Sequence, residues 1–270
     1  DKMSAEQIAS EMYAIACSFG LSAGTNQSWI EISGLSENMG KAMEIVEGLI
    51  AGAQPNEEIL QNLKGDMIKS RADAKLNQSR CFGALQRYMI YGSDFIRRTT
   101  LTDPALQGLT SEQLLAKIGD LMGKQHEVLY YGPQDEAEVK AALAAHHKVA
   151  ADLQPLEKKF STLQPTDENK VMLAQYDAKQ LYYMQYSNRG EKFDLAADPQ
   201  ITLYNEYFGG GMNTIVFQEM REARGLAYSA WANLAIPTNA KGDYYYMAFI
   251  ATQNDKMQKA IEAFDEIINN

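Results

Sequence analysis

Histidine and cysteine, which carry much of metal and nucleophile chemistry, are scarce in this 270-residue chain: His126, His146 and His147, and Cys17 and Cys81. A hydrolytic zinc site of the H-x-x-E-H kind needs two imidazoles one helical turn apart with a carboxylate between them. His126 beside Glu127 and the adjacent pair His146 and His147 lack that spacing, so no catalytic zinc is expected on these residues and the histidines read as surface or helix-end groups. The cysteines lack a C-x-x-C companion and sit in helical patterns, as buried free thiols rather than a disulfide. The redox compartment stays open. No G-x-S-x-G elbow and no P-loop occurs. Basic charge is in deficit, 25 Lys and Arg against 35 Asp and Glu for a net charge of −10, which argues against a nucleic-acid partner. No run of about twenty apolar residues is present, so no helical membrane span is expected. The N-terminus has no signal-peptide architecture.

What is present has the 46% hydrophobic and 22% charged composition of a globular protein, with length for one large domain or two. Periodicity predicts a helix over 4–19, with Ile8, Met12, Ile15, Ala16 and Phe19 inward and Gly20 closing it, then a strand pair from Leu21 to Gly34 that includes Thr25. A helix begins after Ser36 with Met39, Met43, Val46 and Ile50 inward; a longer one starts at Pro55 with Ile59, Leu63 and Met67 on one face. Another ends near Gly92, and Thr110 with Gln113 forms a capping box inside 101–123. His126 to Tyr131 reads as a strand and 135–147 as a helix. A polar stretch at 153–169 is the linker candidate. Strands at 171–176 and 181–186, a helix at 199–208, strands at 228–234 and 244–252 and a helix from 255 to 268 complete the pattern. Both ends read as cuts through a larger chain.

The stretch densest in special residues is YFGGGMNTIVFQEMREARGLAY, 207–228. Gly209, Gly210 and Gly211 lift the Cβ restriction. They either let a substrate backbone approach or simply turn one helix into the next. Met212, Ile215, Val216, Met220 and Ala223 then fall at helical spacing, and Gly225 stands where a left-handed cap is expected. Arg221 near that helix end and Tyr228 at a strand start point toward a common space. In one account they form a polar site; in the other Arg221 pairs with Glu222 or a nearby carboxylate and Tyr228 fills a strand.

The two sides of the linker are related. A shift of 218 places KAMEIVEGLI (41–50) on KAIEAFDEII (259–268) and aligns Gly24, Ile32 and Met39 with Gly242, Ile250 and Met257. A shift of 205 brings Gly20 and Leu21 onto Gly225 and Leu226. On that shift Arg221 and Tyr228 lie opposite Ala16 and Ala23, so the pair belongs to the second copy alone.

The segment YFGGGMNTIVFQEMREARGLAYSA resembles the insulinase/pitrilysin family of zinc metallopeptidases, in the last quarter of its long-chain members; FGLSAGTNQSWIEISGLSENMGKAMEIVEGLI resembles the matching part of the preceding repeat. The resemblance implies an α+β architecture of two related layered domains, each an antiparallel-rich mixed sheet with helices on one face. These are a first domain over 1–152 lacking its start and a second over 170–270 lacking its end. It implies the metal-free, substrate-binding C-terminal half of an enzyme that encloses extended peptides, inactive alone. Zinc would lie on the missing N-terminal half, with that half and a peptide substrate as partners. Arg221 and Tyr228 take the family's transition-state role. The alternative is a non-catalytic scaffold or peptide-presenting subunit beside an active peptidase. The resemblance also points to the bacterial periplasm or cell envelope.

Overall fold

Ser4 caps the first helix reciprocally, its hydroxyl accepting from the Gln7 N–H while the Gln7 side chain accepts from the Ser4 N–H. The computed structural model describes residues 3–24, 27–156 and 162–269; Thr25 and the middle of the expected linker lie outside them. Helix α1 (Ala5–Ala14) is shorter than predicted. Ala16 takes a left-handed φ of +50°, and the chain turns directly into β1 (Cys17–Ala23), antiparallel to β2 (Ser28–Gly34). Gly20 therefore closes no helix; it sits inside β1 opposite Glu31. Phe19 still packs against the core of Ile8, Met12, Ala42, Ile45 and Val46, which is why a helical period and a strand both fitted it.

Beyond β2 come α2 (Met39–Gly52), α3 (Glu57–Lys75), α4 (Gln78–Thr99), α5 (Asp103–Gln107), α6 (Ser111–Met122) and α7 (Glu136–His146). In α3 the inward residues are Leu60 and Lys64, whereas Ile59, Leu63 and Met67 are exposed. The buried Lys64 ammonium is solvated in place by donating to the Gln107 and Leu109 carbonyls at 3.0 and 2.6 Å. Gly92, at a left-handed φ of +74°, breaks the helical path of α4, so a first helix ends there as expected and a second follows to Thr99. The expected strands at 126–131 and 171–176 do not form: these residues belong to no strand of the structure.

The remaining elements are β3 (Gln180–Ser187), α8 (Asp198–Phe208), α9 (Ile215–Phe217), β4 (Ser229–Ala235), β5 (Tyr245–Gln253) and α10 (Met257–Asn269). The sheet order is β3-β5-β4, all antiparallel. Strand alternation sends Ala230, Ala232, Ala248 and Ile250 to one face, where Val216, Met220, Ala260, Ala263 and Phe264 close a dry core. The other face carries Tyr182, Trp231 and Phe249, and Phe82 of α4 packs edge-on against Tyr182 at 5.5 Å. Helices thus cover both faces, not one.

The chain groups into two compact units, 1–68 with 101–160 and 69–100 with 161–270. Residues 69–100 group with the later sheet, a division that sequence continuity could not show. The fold is mixed α+β with antiparallel sheets. At the 218 offset the same local structure recurs: a 3-10 turn at Ser36–Asn38 precedes α2 just as one at Asn254–Lys256 precedes α10.

Candidate functional site at the start of β4

Helix α8 is capped at Gly209, and the path of the chain from there is set by how closely α8 lies on β4. The Ala232 N–H donates to the Gly209 carbonyl at 3.3 Å, and the Asn205 side chain pairs with both backbone groups of Leu234 at 2.9 Å. A Cβ on Gly209 would stand 2.6 Å from the Ala232 nitrogen, so the close approach it permits is to the chain's own strand. On Gly210 it would stand 2.8 Å from the Asn205 carbonyl oxygen; on Gly211 it would meet nothing within 4 Å. Gly210 and Gly211 are exposed.

The helix after the glycines differs from expectation. Met212 is 72% exposed and lies outside it. Only Ile215–Phe217 is α-helical; Gln218–Ala223 widens into a π-helical turn, in which the Arg224 N–H reaches back five residues to the Glu219 carbonyl at 3.2 Å. Such single wide turns recur at functional sites. Gly225 does take the expected left-handed φ, +56°, and the Leu226 and Ala227 N–H groups both donate to the Met220 carbonyl. This reversal brings Tyr228 back beside the helix it has just left.

Arg221 and Tyr228 are brought together. The Arg221 guanidinium carbon lies 5.1 Å from the Phe217 ring centre and 5.5 Å from that of Tyr228, within cation–π range of both. Its contact with Glu222 is long, 3.5 Å, and both side chains are exposed, a geometry worth little in water. The Tyr228 N–H is fixed on the Ala251 carbonyl at 2.8 Å while the residue is 69% exposed. Backbone is anchored and ring is presented. Neighbouring Arg224 is held instead by Glu266 at 2.7 Å, which leaves Arg221 as the outward guanidinium of the pair. A groove of about 350 Å³ adjoins, lined by Phe82, Tyr182, Met184, Tyr228, Trp231 and Phe249 among others.

Sequence reasoning missed Phe217 and the groove. The i, i+4 spacing of Phe217 and Arg221 was a usable signal. Phe82 had none, being far away in the chain. The histidines sit elsewhere: His146 and His147 end α7 and bond Glu44 and Glu47 of α2. Among the described residues no three His, Cys, Asp or Glu side chains converge as a metal-ligand set. No described helix is long and apolar enough to cross a membrane.

No curated protein sequence matches the chain. Solved structures share its fold. The peptidase M16 inactive domain from Pseudomonas fluorescens superposes with a TM-score of 0.73 at 17% identity, over 99% of this chain and 66% of that one. The periplasmic protease PqqL from Escherichia coli gives 0.75 at 15% identity over 98% and 29%. The ferredoxin protease FusC, solved with Arabidopsis ferredoxin, gives 0.76 at 11% identity over 98% and 29%. The chain thus spans under a third of either protease. The family described as the peptidase M16 inactive domain matches residues 109–270, more than half of the chain and all of the stretch from Gly209 to Tyr228. The resemblance to the insulinase/pitrilysin metallopeptidases therefore holds, and the chain belongs to the peptidase M16 inactive-domain family.

Proposed function

We propose that this chain is the metal-free, substrate-binding part of a zinc-dependent peptidase that encloses extended peptides, and that its two repeats are consecutive repeat domains of that enzyme. Zinc and its general base would lie on an N-terminal half carrying H-x-x-E-H, and the chain alone would be inactive. The observation that carries the proposal is the Arg221–Tyr228 pair, stacked, exposed and fixed at its backbone.

A hydrolysed peptide develops negative charge on the scissile carbonyl oxygen. A guanidinium and a phenol O–H both donate hydrogen bonds, and both are held by elements of one compact unit. Removing one such preorganised donor typically costs about 3 kcal/mol of transition-state binding. Exposed Gly210 and Gly211 leave room for a peptide backbone next to them. The FusC relative was solved in complex with ferredoxin, which supports a peptide or protein substrate for this chain.

The test is kinetic. In the complete enzyme, or with the chain added to its metal-bearing half, Arg221→Ala and Tyr228→Phe each lower kcat by about ten-fold or more, with zinc content and thermal stability unchanged. Unaltered turnover in both variants removes the assigned role. If no H-x-x-E-H half accompanies the chain, peptide binding without turnover is the outcome, and the scaffold or peptide-presenting role takes its place.

A further inference from the structure

We propose that His126 and His147 share one proton, and that this proton latches the segment 124–131 to α2 and the end of α7. His147 Nδ1 lies 2.5 Å from Glu47 Oε1, and Glu47 is itself held because Oε2 accepts from the Lys148 N–H at 2.9 Å. His126 Nδ1 lies 3.0 Å from the Lys124 carbonyl oxygen. A carbonyl accepts and cannot donate, and the ionised carboxylate does the same, so both Nδ1 atoms carry hydrogen. Each neutral ring would then keep a lone pair on Nε2.

Those two nitrogens are 2.9 Å apart, and the ring centres are 5.1 Å apart. The rings therefore meet end to end along their Nε2 atoms. Two lone pairs so placed repel; one added proton converts the contact to a charge-assisted N–H···N bond. Among the described residues no third His, Cys, Asp or Glu side chain converges with the pair as a metal-ligand set. The geometry is that of an imidazole–imidazolium pair carrying one positive charge.

The surroundings suit that charge. From α2, Glu47 bonds His147, and Glu44 bonds His146 at 2.9 Å with Lys41 4.0 Å from it. From the end of α6, the Lys124 ammonium is turned to Asp120 at 3.6 Å. From the end of α7, Lys148 contributes its N–H to Glu47. The Glu47 carboxylate stands directly behind the pair, and the Lys124 ammonium is turned to Asp120.

The segment that the pair holds has few other ties. Gln125 donates to the Gln154 carbonyl at 2.8 Å, and the chain then runs through exposed Val128, Leu129 and Tyr131 without joining a strand. Protonation closes the latch. Loss of the shared proton restores the lone-pair clash and frees the segment.

Chymotrypsin cleavage at Tyr130 and Tyr131 of the 270-residue chain reads this directly when normalised to an unfolded reference peptide. Cleavage rises about ten-fold between about pH 5.5 and pH 8, the size expected for losing one hydrogen bond to a charged group. His126→Gln and His147→Gln, which keep polarity but take up no proton, are flat across that range. His146→Gln, on the separate Glu44 contact, keeps the wild-type profile. Proton NMR supplies a second readout: the His147 ring titrates differently once His126 is Gln. A flat wild-type cleavage profile, or one that His126→Gln reproduces with an unmoved His147 titration, overturns the proposal.

Discussion

The Arg221 guanidinium lies over the Tyr228 ring at 5.5 Å, across seven residues that include a π-helical turn and a left-handed glycine. Neither side chain is buried, so the contact survives by stacking rather than by exclusion from water. A double-mutant cycle on the chain, Arg221→Ala with Tyr228→Leu followed by urea unfolding, should return a coupling of about 0.5–1 kcal/mol. Additive single effects would mean that the two groups are neighbours without interaction.

Gly209 and Gly211 differ sharply. A methyl group on Gly209 meets the Ala232 backbone, which cannot move without breaking β4 from α8. Gly209→Ala should cost about 1–3 kcal/mol, the usual range for forced overpacking. Gly211→Ala has open space and should stay within about 0.5 kcal/mol of the parent. Thermal melts of both variants decide it.

Glu57 sets an acid limit on the first unit. Its carboxylate accepts from the Ser111 N–H at 2.6 Å and the Ser111 hydroxyl at 2.8 Å, at the N-terminus of α6. The Ser111 backbone bond, then its side-chain bond, hold the Glu57 carboxyl below the usual range. A depressed carboxyl stabilises the fold above its unfolded pKa and loses that contribution as pH falls through the folded one. The melting-temperature gap between parent and Glu57→Gln should therefore be full at neutral pH and close below about pH 4. A gap independent of pH would show that the charge is immaterial.

Tyrosines set the alkaline limit. Burial pushes Tyr186 up to about 12, and burial likewise raises Tyr245 and Tyr246. A raised phenol contributes stability below its unfolded pKa, near 10, that is lost as pH climbs through the folded value. Absorbance titration should show these phenols ionising last, together with unfolding. Tyr186→Phe should flatten the loss of stability between about pH 10 and 12.

Phe264 is fully buried against Val216, Met220 and Ile250 beneath β4 and β5. Phe264→Ala should cost about 3–5 kcal/mol and, by loosening the layer that carries Met220, should weaken the Arg221–Tyr228 coupling as well. Retained coupling in this variant would show that the π-helical turn holds its shape independently of that core.

Much of the site was legible because its signals are local. Gly225 had to be left-handed after a helix; Arg221 and Tyr228 lie seven positions apart in the matched family segment; the 218-residue offset returned the same turn and helix twice. The errors have one physical origin. Ile59, Leu63 and Met67 have helical spacing, yet Leu60 and Lys64 are the residues α3 buries, since periodicity marks a face without saying what meets it. Phe19 satisfied a helical stripe while lying in a strand, because the same core accepts it from either element.

The amino-acid sequence by itself determined the family, the helix caps, the strand alternation and the pair of polar residues at the start of β4, all written in neighbours a few positions apart. Tertiary structure decided what depends on distant partners. It placed α4 on the second face of the sheet, filled the space at Gly209 with Ala232, widened one helical turn beneath Arg221, and set His126 against His147. Apart from the widened turn, which is local, each of these is a contact between residues at least twenty positions apart, selected by burial energy and hydrogen-bond geometry.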